Sequence, residues 1–422
     1  MRLRGPGERP FAGAGVRARL LAGTMALVVA SGVTTAHADH VSPVGRGARR
    51  YFAPPPSVPV DALKDPLGRA LHQLVNRLAQ ARGESAPHMD VRLEALAETL
   101  ADTLGPDEVP ALELQEFLLS HFGLADPLPE LAMFQVGLDD SGIASKFAQS
   151  LPGTLRGGPF GRMGIGIKRA FFGKTSVVMA FQRTEVELMP VPRRIDVGGS
   201  ALLMGQLLRG RSKPHVMVGR PRGDVQTLPL RGEGANFSAT FHCDAGAGRY
   251  QVEIMASGRD GKSVIANFPI FCGVEPPRSA PRNVVSAPET EDPTRAEALA
   301  LTALQRDRTS HGLPLLTVDE RLAKAARGYS QEMARRQVVE HVSGESGSAA
   351  DRVRRVGAQA VMIAENVGRA NSIADVQRSF MSSPGHRANV LSRAVSRVGV
   401  GVAFRKDARG MPTLYVTQLF AR

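Results

Sequence analysis

The sequence predicts a multidomain α+β protein. Three features carry that expectation: a first block with helical periodicity, a middle run of short alternating strands broken by Gly, Pro and Asp, and a last block whose helices end in a β-hairpin. At 422 residues, and one domain per roughly 100–200 residues, the chain should hold two to four domains. Its 43% hydrophobic and 22% charged residues are near globular averages, which excludes wholesale disorder and a multi-span membrane protein.

At the N-terminus, Arg2, Arg4, Arg9, Arg17 and Arg19 surround Glu8 and precede the apolar run Leu20–Val33. Ala36-His37-Ala38 then forms a small-residue cleavage pattern before Asp39. Residues 1–38 therefore read as a secretory signal peptide, because the apolar run is shorter than the roughly 20 residues of a membrane span. Export to the periplasm, cell envelope or medium follows, with no transmembrane segment in the mature chain. No Cys follows the cleavage point, which speaks against a lipid anchor. Removal takes away five Arg and one Glu, leaving 13 − 4 = +9. The positive charge is mostly Arg (8 Lys, hence 53 − 8 = 45 Arg), scattered and without interleaved aromatics, so no dedicated nucleic-acid site is expected.

Residues 39–61 and 274–293 are Pro-rich, with Pro54-Pro55-Pro56 and Pro276-Pro277 as their densest points, and read as linkers. They set off folded segments at 62–183, 184–273 and 294–422. Residues 184–273 alternate in runs such as Ala201–Leu208, His215–Gly219, Asn236–Cys243, Tyr250–Ala256 and Val264–Phe271, the pattern of a small, loosely immunoglobulin-like β-sandwich. Cys243 and Cys272 each end a strand, and an oxidising compartment favours their pairing over two buried thiols. Closing that loop would contribute about 3–4 kcal/mol in the chain-entropy view.

In the last block, Thr317-Val-Asp-Glu320 has the form of a capping box and should start a helix with an apolar stripe of Leu322, Ala325, Ala326, Tyr329 and Met333. Ser348–Val356 reads as a shorter helix stopped by Gly357, and Ser372–Ser382 as another stopped by Pro384. Val398–Val402 and Leu414–Phe420 form the closing hairpin.

Three polar residues in this block stand apart from solvated faces. His341 follows the amphipathic helix, Glu365 interrupts the apolar run Met362–Val367, and His386 follows the Ser383-Pro384-Gly385 turn. Two imidazoles and a carboxylate could form a site for a borderline metal, or a base with an orienting acid; each could equally be a surface or turn residue.

Here the motifs carry a resemblance. Ser383-Pro-Gly-His-Arg-Ala-Asn-Val-Leu391, Ala364-Glu-Asn-Val367 upstream, Leu313–Leu322 before that and Val398-Gly-Val-Gly-Val402 downstream resemble the bacterial branch of the CAP superfamily (cysteine-rich secretory, antigen 5 and pathogenesis-related 1 proteins, also called SCP-like). The resemblance covers about 295–422. It implies an α-β-α sandwich with an open cleft, to which His341, Glu365 and His386 contribute. Departures are Ala364 in place of the usual Gly, Phe380 in place of an aromatic usually written Trp, and the unusual Val-Glu-His-Val-Ser around His341.

The first block reads as a degenerate copy of the same domain. Leu93 parallels Leu322, Phe134-Gln-Val-Gly137 parallels Glu365-Asn-Val-Gly368, Leu151-Pro-Gly-Thr154 parallels Ser383-Pro-Gly-His386, and Met163–Ile167 parallels Val398–Val402. On this alignment Phe134 replaces Glu365 and Thr154 replaces His386, so the copy keeps the fold without the polar site.

Three functions are compatible with these features. The first is a binding module at the envelope for a lipid, peptide or envelope polymer, its His341/His386 pair able to hold a divalent metal such as zinc, with Glu365 as third ligand or orienting acid. The second is a water-using hydrolase. The third is a structural docking protein attracted by charge to anionic polymers. The residues lean away from catalysis, since no nucleophile motif is present.

Overall fold

A computed structural model describes residues 47–53, 63–105, 108–136, 142–169, 175–259, 261–282, 288–406 and 412–422. The stretch read as a signal peptide with its cleavage pattern, and much of the first Pro-rich stretch, lie outside the described residues.

The stretch read as a leading linker supplies a strand, β1 (Arg50–Ala53). The first block then runs α1 (Pro66–Ala81), β2 (His88–Met89), α2 (Val91–Thr103), α3 (Leu112–Phe122), β3 (Glu130–Val136), α4 (Ile143–Thr154), β4 (Arg162–Arg169) and β5 (Thr175–Gln182). The middle carries β6 (Val186–Pro192), β7 (Arg194–Ile195), β8 (Ser200–Leu207), β9 (Ser212–Gly219), β10 (Val225–Leu228), β11 (Asn236–His242), β12 (Gly248–Gly258) and β13 (Gly261–Cys272). The last block runs α5 (Pro293–Ser310), β14 (Thr317–Val318), α6 (Glu320–Arg336), α7 (Ala349–Arg355), β15 (Ile363–Ala370), α8 (Ile373–Ser382), α9 (Pro384–Val390), β16 (Arg397–Lys406) and β17 (Pro412–Ala421).

In the middle, two sheets of order β1-β6-β8-β11 and β10-β9-β12-β13-β7 share one core that includes Leu203, Phe241, Tyr250, Val252 and Phe268. Period-two alternation sends Tyr250, Val252 and Ile254 inward and leaves Glu253 on the outer face of β12. β1 corrects the linker reading: it pairs with β6, and Tyr51 is fully buried with its ring 4.8 Å from that of Phe268. One aromatic at an inward position, beside a strand edge in need of a partner, outweighs the Pro-rich composition around it. The disulfide Cys243–Cys272 joins the two sheets at the ends of β11 and β13.

The first and last blocks repeat one plan. Their sheets have the orders β2-β4-β5-β3 and β14-β16-β17-β15, with helices on both faces. α1 and α5 both begin Asp-Pro: Asp65 accepts from the Leu67 amide and Asp292 from the Thr294 amide, with the proline at the first helical position where it loses no bond. Two glycines in each block let a strand lie directly on a helix. A β-carbon on Gly164 or Gly166 would come within 2.1–2.2 Å of the α2 backbone, and one on Gly399 or Gly401 within 2.1–2.2 Å of α6.

Two sequence expectations shift by a few residues. Thr317 is not the helix cap; it belongs to β14, whose partner is β16, and Asp319 caps α6 by accepting from the Arg321 and Leu322 amides at 2.9 and 3.2 Å. The capping box is at α7, between Ser348 and Asp351. The ladders also correct the internal alignment. Glu365 stands opposite Leu419, which stands opposite Gly399; in the first block the residue opposite Ala180, and hence in register with Gly164, is Leu131. Phe134 lies three residues along β3, on the other face, where its ring meets Phe147 of α4 at 4.4 Å. An odd slip along a strand exchanges its faces, which short motif matching does not sense.

Candidate functional site

The three polar residues come together from three elements: His341 from the segment after α6, Glu365 from β15, and His386 from α9. His341 Nδ1 lies 3.0 Å from Glu365 Oε1, and the two imidazoles are 6.4 Å apart between centroids. Glu365 is buried, and its second oxygen accepts from Arg352 Nη2 at 2.5 Å. Arg352, itself buried on α7, also donates to the carbonyls of His341 and Gly347, and its guanidinium lies 3.4 Å from the centre of the Tyr329 ring. With Nδ1 facing a carboxylate oxygen, the His341 ring donates from that nitrogen. Nε2 is then left as the acceptor of that ring, an assignment made from the hydrogen-bond network.

His386 has a different setting. Ser383 caps α9, with its hydroxyl 3.4 Å from the His386 amide, and Pro384 takes the first helical position. The His386 ring packs 5.0 Å from Phe380. Burial, reinforced by the neighbouring His341, pushes its pKa down to about 3, so the ring is neutral throughout the usual histidine range. Its Nδ1 is buried with no protein partner.

A chain of amides fixes the backbone of both elements. Asn366 donates to the His386 carbonyl at 3.2 Å and to Gln418 Oε1 at 3.1 Å; Asn389 donates to Asn366 Oδ1 at 2.9 Å and to the Glu365 carbonyl at 3.3 Å. Buried amides in full hydrogen-bonding chains make a rigid wall.

The histidines open on a solvent-open cavity of about 1580 Å³ lined by all three blocks. His341, Glu365 and His386 form one side, Met255 and Lys262 of the sandwich another, and β3 of the first block a third. Arg369 and Glu130 form an ion pair at 2.5 Å between β15 and β3. From the sandwich, Glu253 accepts from Ser383 Oγ and the Gly385 amide at 2.6 and 2.9 Å.

Among the described residues, no group of three or more His, Cys, Asp or Glu is arranged to hold a metal ion. Both oxygens of Glu365 are already engaged, so the donors left are two imidazoles, one of them with an orphaned buried nitrogen. No described helix is long and apolar enough to cross a membrane.

Sequence reasoning singled out the three residues but missed Arg352 and Glu253. In the sequence Arg352 is not distinguished from Arg354 and Arg355 on the same short helix. Glu253 sits at an outward position of its strand, and the sequence does not show that another part of the chain covers that face.

Residues 301–420 match the model of the cysteine-rich secretory protein family, CAP. Over 117 residues the chain is 32% identical to the uncharacterized protein YkwD of Bacillus subtilis (strain 168), covering 28% of this chain and 45% of that protein. This chain thus spans less than half the length of the curated relative. Similar solved structures include an extracellular protein containing an SCP domain from Bacillus anthracis, at 18% identity and a TM-score of 0.29, and a cysteine-rich secretory protein from Staphylococcus aureus, at 16% and 0.26. Each covers 68% of this chain and 93% of its own. Residues 301–420 of this chain are therefore a CAP domain of the bacterial kind, the domain of the cysteine-rich secretory proteins.

Proposed function

We propose that this chain is an exported binding protein whose CAP domain takes an extracellular ligand at the His341, Glu365 and His386 cleft. The observation that carries this reading is the way the polar groups are committed. Glu365 is saturated by His341 and Arg352, and His386 is held neutral by burial. An imidazole whose pKa is about 3 is a weak proton acceptor near neutral pH, so His386 suits hydrogen bonding or ligation better than general-base work. The leader read at residues 1–38 and the Cys243–Cys272 disulfide support export.

A divalent cation such as zinc would be held by the imidazoles of His341 and His386, with Glu365 behind His341 as its orienting acid. The cation would supply a Lewis-acid point to a ligand carboxylate or carbonyl. We read the first block as a worn CAP copy that keeps the scaffold; the shared sheet order, the paired glycines and the matching Asp-Pro helix starts support this.

A second reading has one observation in its favour: the 3.0 Å contact between His341 and Glu365 is the geometry of a base with its orienting acid, as a water-using hydrolase requires. Calorimetric titration with zinc, beside His341→Ala and His386→Ala, tests the first reading. One-site binding lost in both variants is expected. Turnover of an ester or peptide panel that disappears in His341→Ala would transfer the site to the hydrolase. Absence of zinc binding removes the cation and leaves the imidazoles as hydrogen-bonding groups for an organic ligand.

A further inference from the structure

We propose that Glu253 of the β-sandwich is a positioning residue for the histidine cleft: its buried carboxylate holds the Ser383-Pro384-Gly385 turn and through it fixes His386. The proposal deepens the binding reading and rests on it only for the cleft's purpose.

The geometry is specific. Glu253 has no exposed surface although it lies on the outer face of β12, because the start of α9 covers it. Oε2 accepts from Ser383 Oγ at 2.6 Å and Oε1 from the Gly385 amide at 2.9 Å. A β-carbon on residue 385 would sit 2.7 Å from Oε1, so a larger residue there would push the carboxylate off the turn. His386 is the next residue.

α9 has only seven residues, too few to hold its shape unaided. Its two ends are met by opposite charges that suit the helix dipole. At the N-terminal end stands Glu253. At the C-terminal end the buried Arg308 donates to the carbonyls of Val390 and Ser392 at 2.7 and 2.9 Å. The cation comes from the CAP domain itself, the anion from a different domain. Arg387 adds a second tether, donating to the Gly223 carbonyl of the sandwich at 2.6 Å.

Burying this carboxylate has a cost, visible as a pKa pushed up by desolvation and held back by the Ser383 and Gly385 bonds, with Lys262 a weaker favourable charge. An ordinary interface position would be filled by an apolar residue at no such cost. The cleft geometry therefore depends on docking of the sandwich, and residues 294–422 alone would lack one of the two end contacts of α9.

The test uses the whole chain with Glu253→Ala and Glu253→Gln, read by amide hydrogen exchange at Gly385 and by the ring resonances of His386, which report its packing on Phe380. With overall fold checked by circular dichroism, Glu253→Ala should speed Gly385 exchange at least about tenfold and move the His386 ring signals, as loss of two charge-assisted bonds requires. Glu253→Gln keeps an acceptor for the Gly385 amide and should return most of the wild-type behaviour. Exchange and ring signals in a folded Glu253→Ala protein that match the wild type overturn the proposal. Should that variant not fold, Ser383→Ala removes the hydroxyl partner of Oε2, and an unchanged His386 signal there overturns it equally. Neither readout needs a ligand, so failure here leaves the binding reading standing, and failed zinc binding leaves this proposal standing.

Discussion

The first and last blocks share a sheet order and a helix-on-strand packing, and they differ in what fills one face of the matching edge strand. Both place the sheet on its helix through two glycines, and both tie the helix start to the neighbouring strand with an Asp–Arg pair, Asp90 with Arg162 and Asp319 with Arg397. Where the last block has Glu365 under Arg352 and His341, the first has Leu131, packed with Met133 against the α2 and α3 cluster of Leu96, Leu114 and Leu118. The contrast separates what builds this fold from what furnishes it. Close backbone packing is common to both blocks, whereas the carboxylate of the polar site occupies a strand face that the first block fills with leucine.

The scaffold half of the comparison predicts the largest effects. Gly166→Ala and Gly401→Ala should each destabilise the chain by about 4–5 kcal/mol in chemical unfolding, because the added methyl meets helix backbone that cannot yield locally. A first-block variant that loses little would break the claim that the two blocks are packed alike.

The site half predicts effects nearly as large but reparable. Glu365→Leu, which gives the last block the residue type of the first, should cost about 3–5 kcal/mol by leaving the Arg352 guanidinium buried without its anion. Adding Arg352→Met should recover most of that loss while ligand or zinc binding stays absent. If the double variant remains as unstable as the single one, the pair is part of the scaffold after all.

The smallest effect is a pH dependence carried by His386. His386 has its pKa lowered from 6.5 to about 3, so between those values the unfolded chain binds the extra proton and stability falls as pH falls. One such proton contributes a slope of up to about 1.4 kcal/mol per pH unit. Unfolding at pH 6.5 and 4 should show this loss, and His386→Gln should flatten it.

Much of this was legible in the chain. The hairpin, α7 and α8, the sandwich strands and the cysteine pair follow from local periodicity, caps and turn residues, whose causes lie within a few positions of each residue. The shifts occurred where two local signals competed. At the start of α6, Thr317 could cap or pair, and the β16 ladder decided. In β3, motif similarity put Phe134 in the place of Glu365, and hydrogen-bond register put Leu131 there.

The sequence by itself determined the sandwich strands, the closing hairpin and the disulfide partners, because period, caps and turn residues are properties of neighbours along the chain; it singled out the three polar residues, and the family resemblance implied their common cleft. Only the tertiary structure decided that Arg352 neutralises Glu365, that burial keeps His386 uncharged, and that Glu253 reaches it from another domain. Charge compensation and desolvation depend on which surfaces meet, and residues 130 positions apart carry no mark in the sequence of the bond between them.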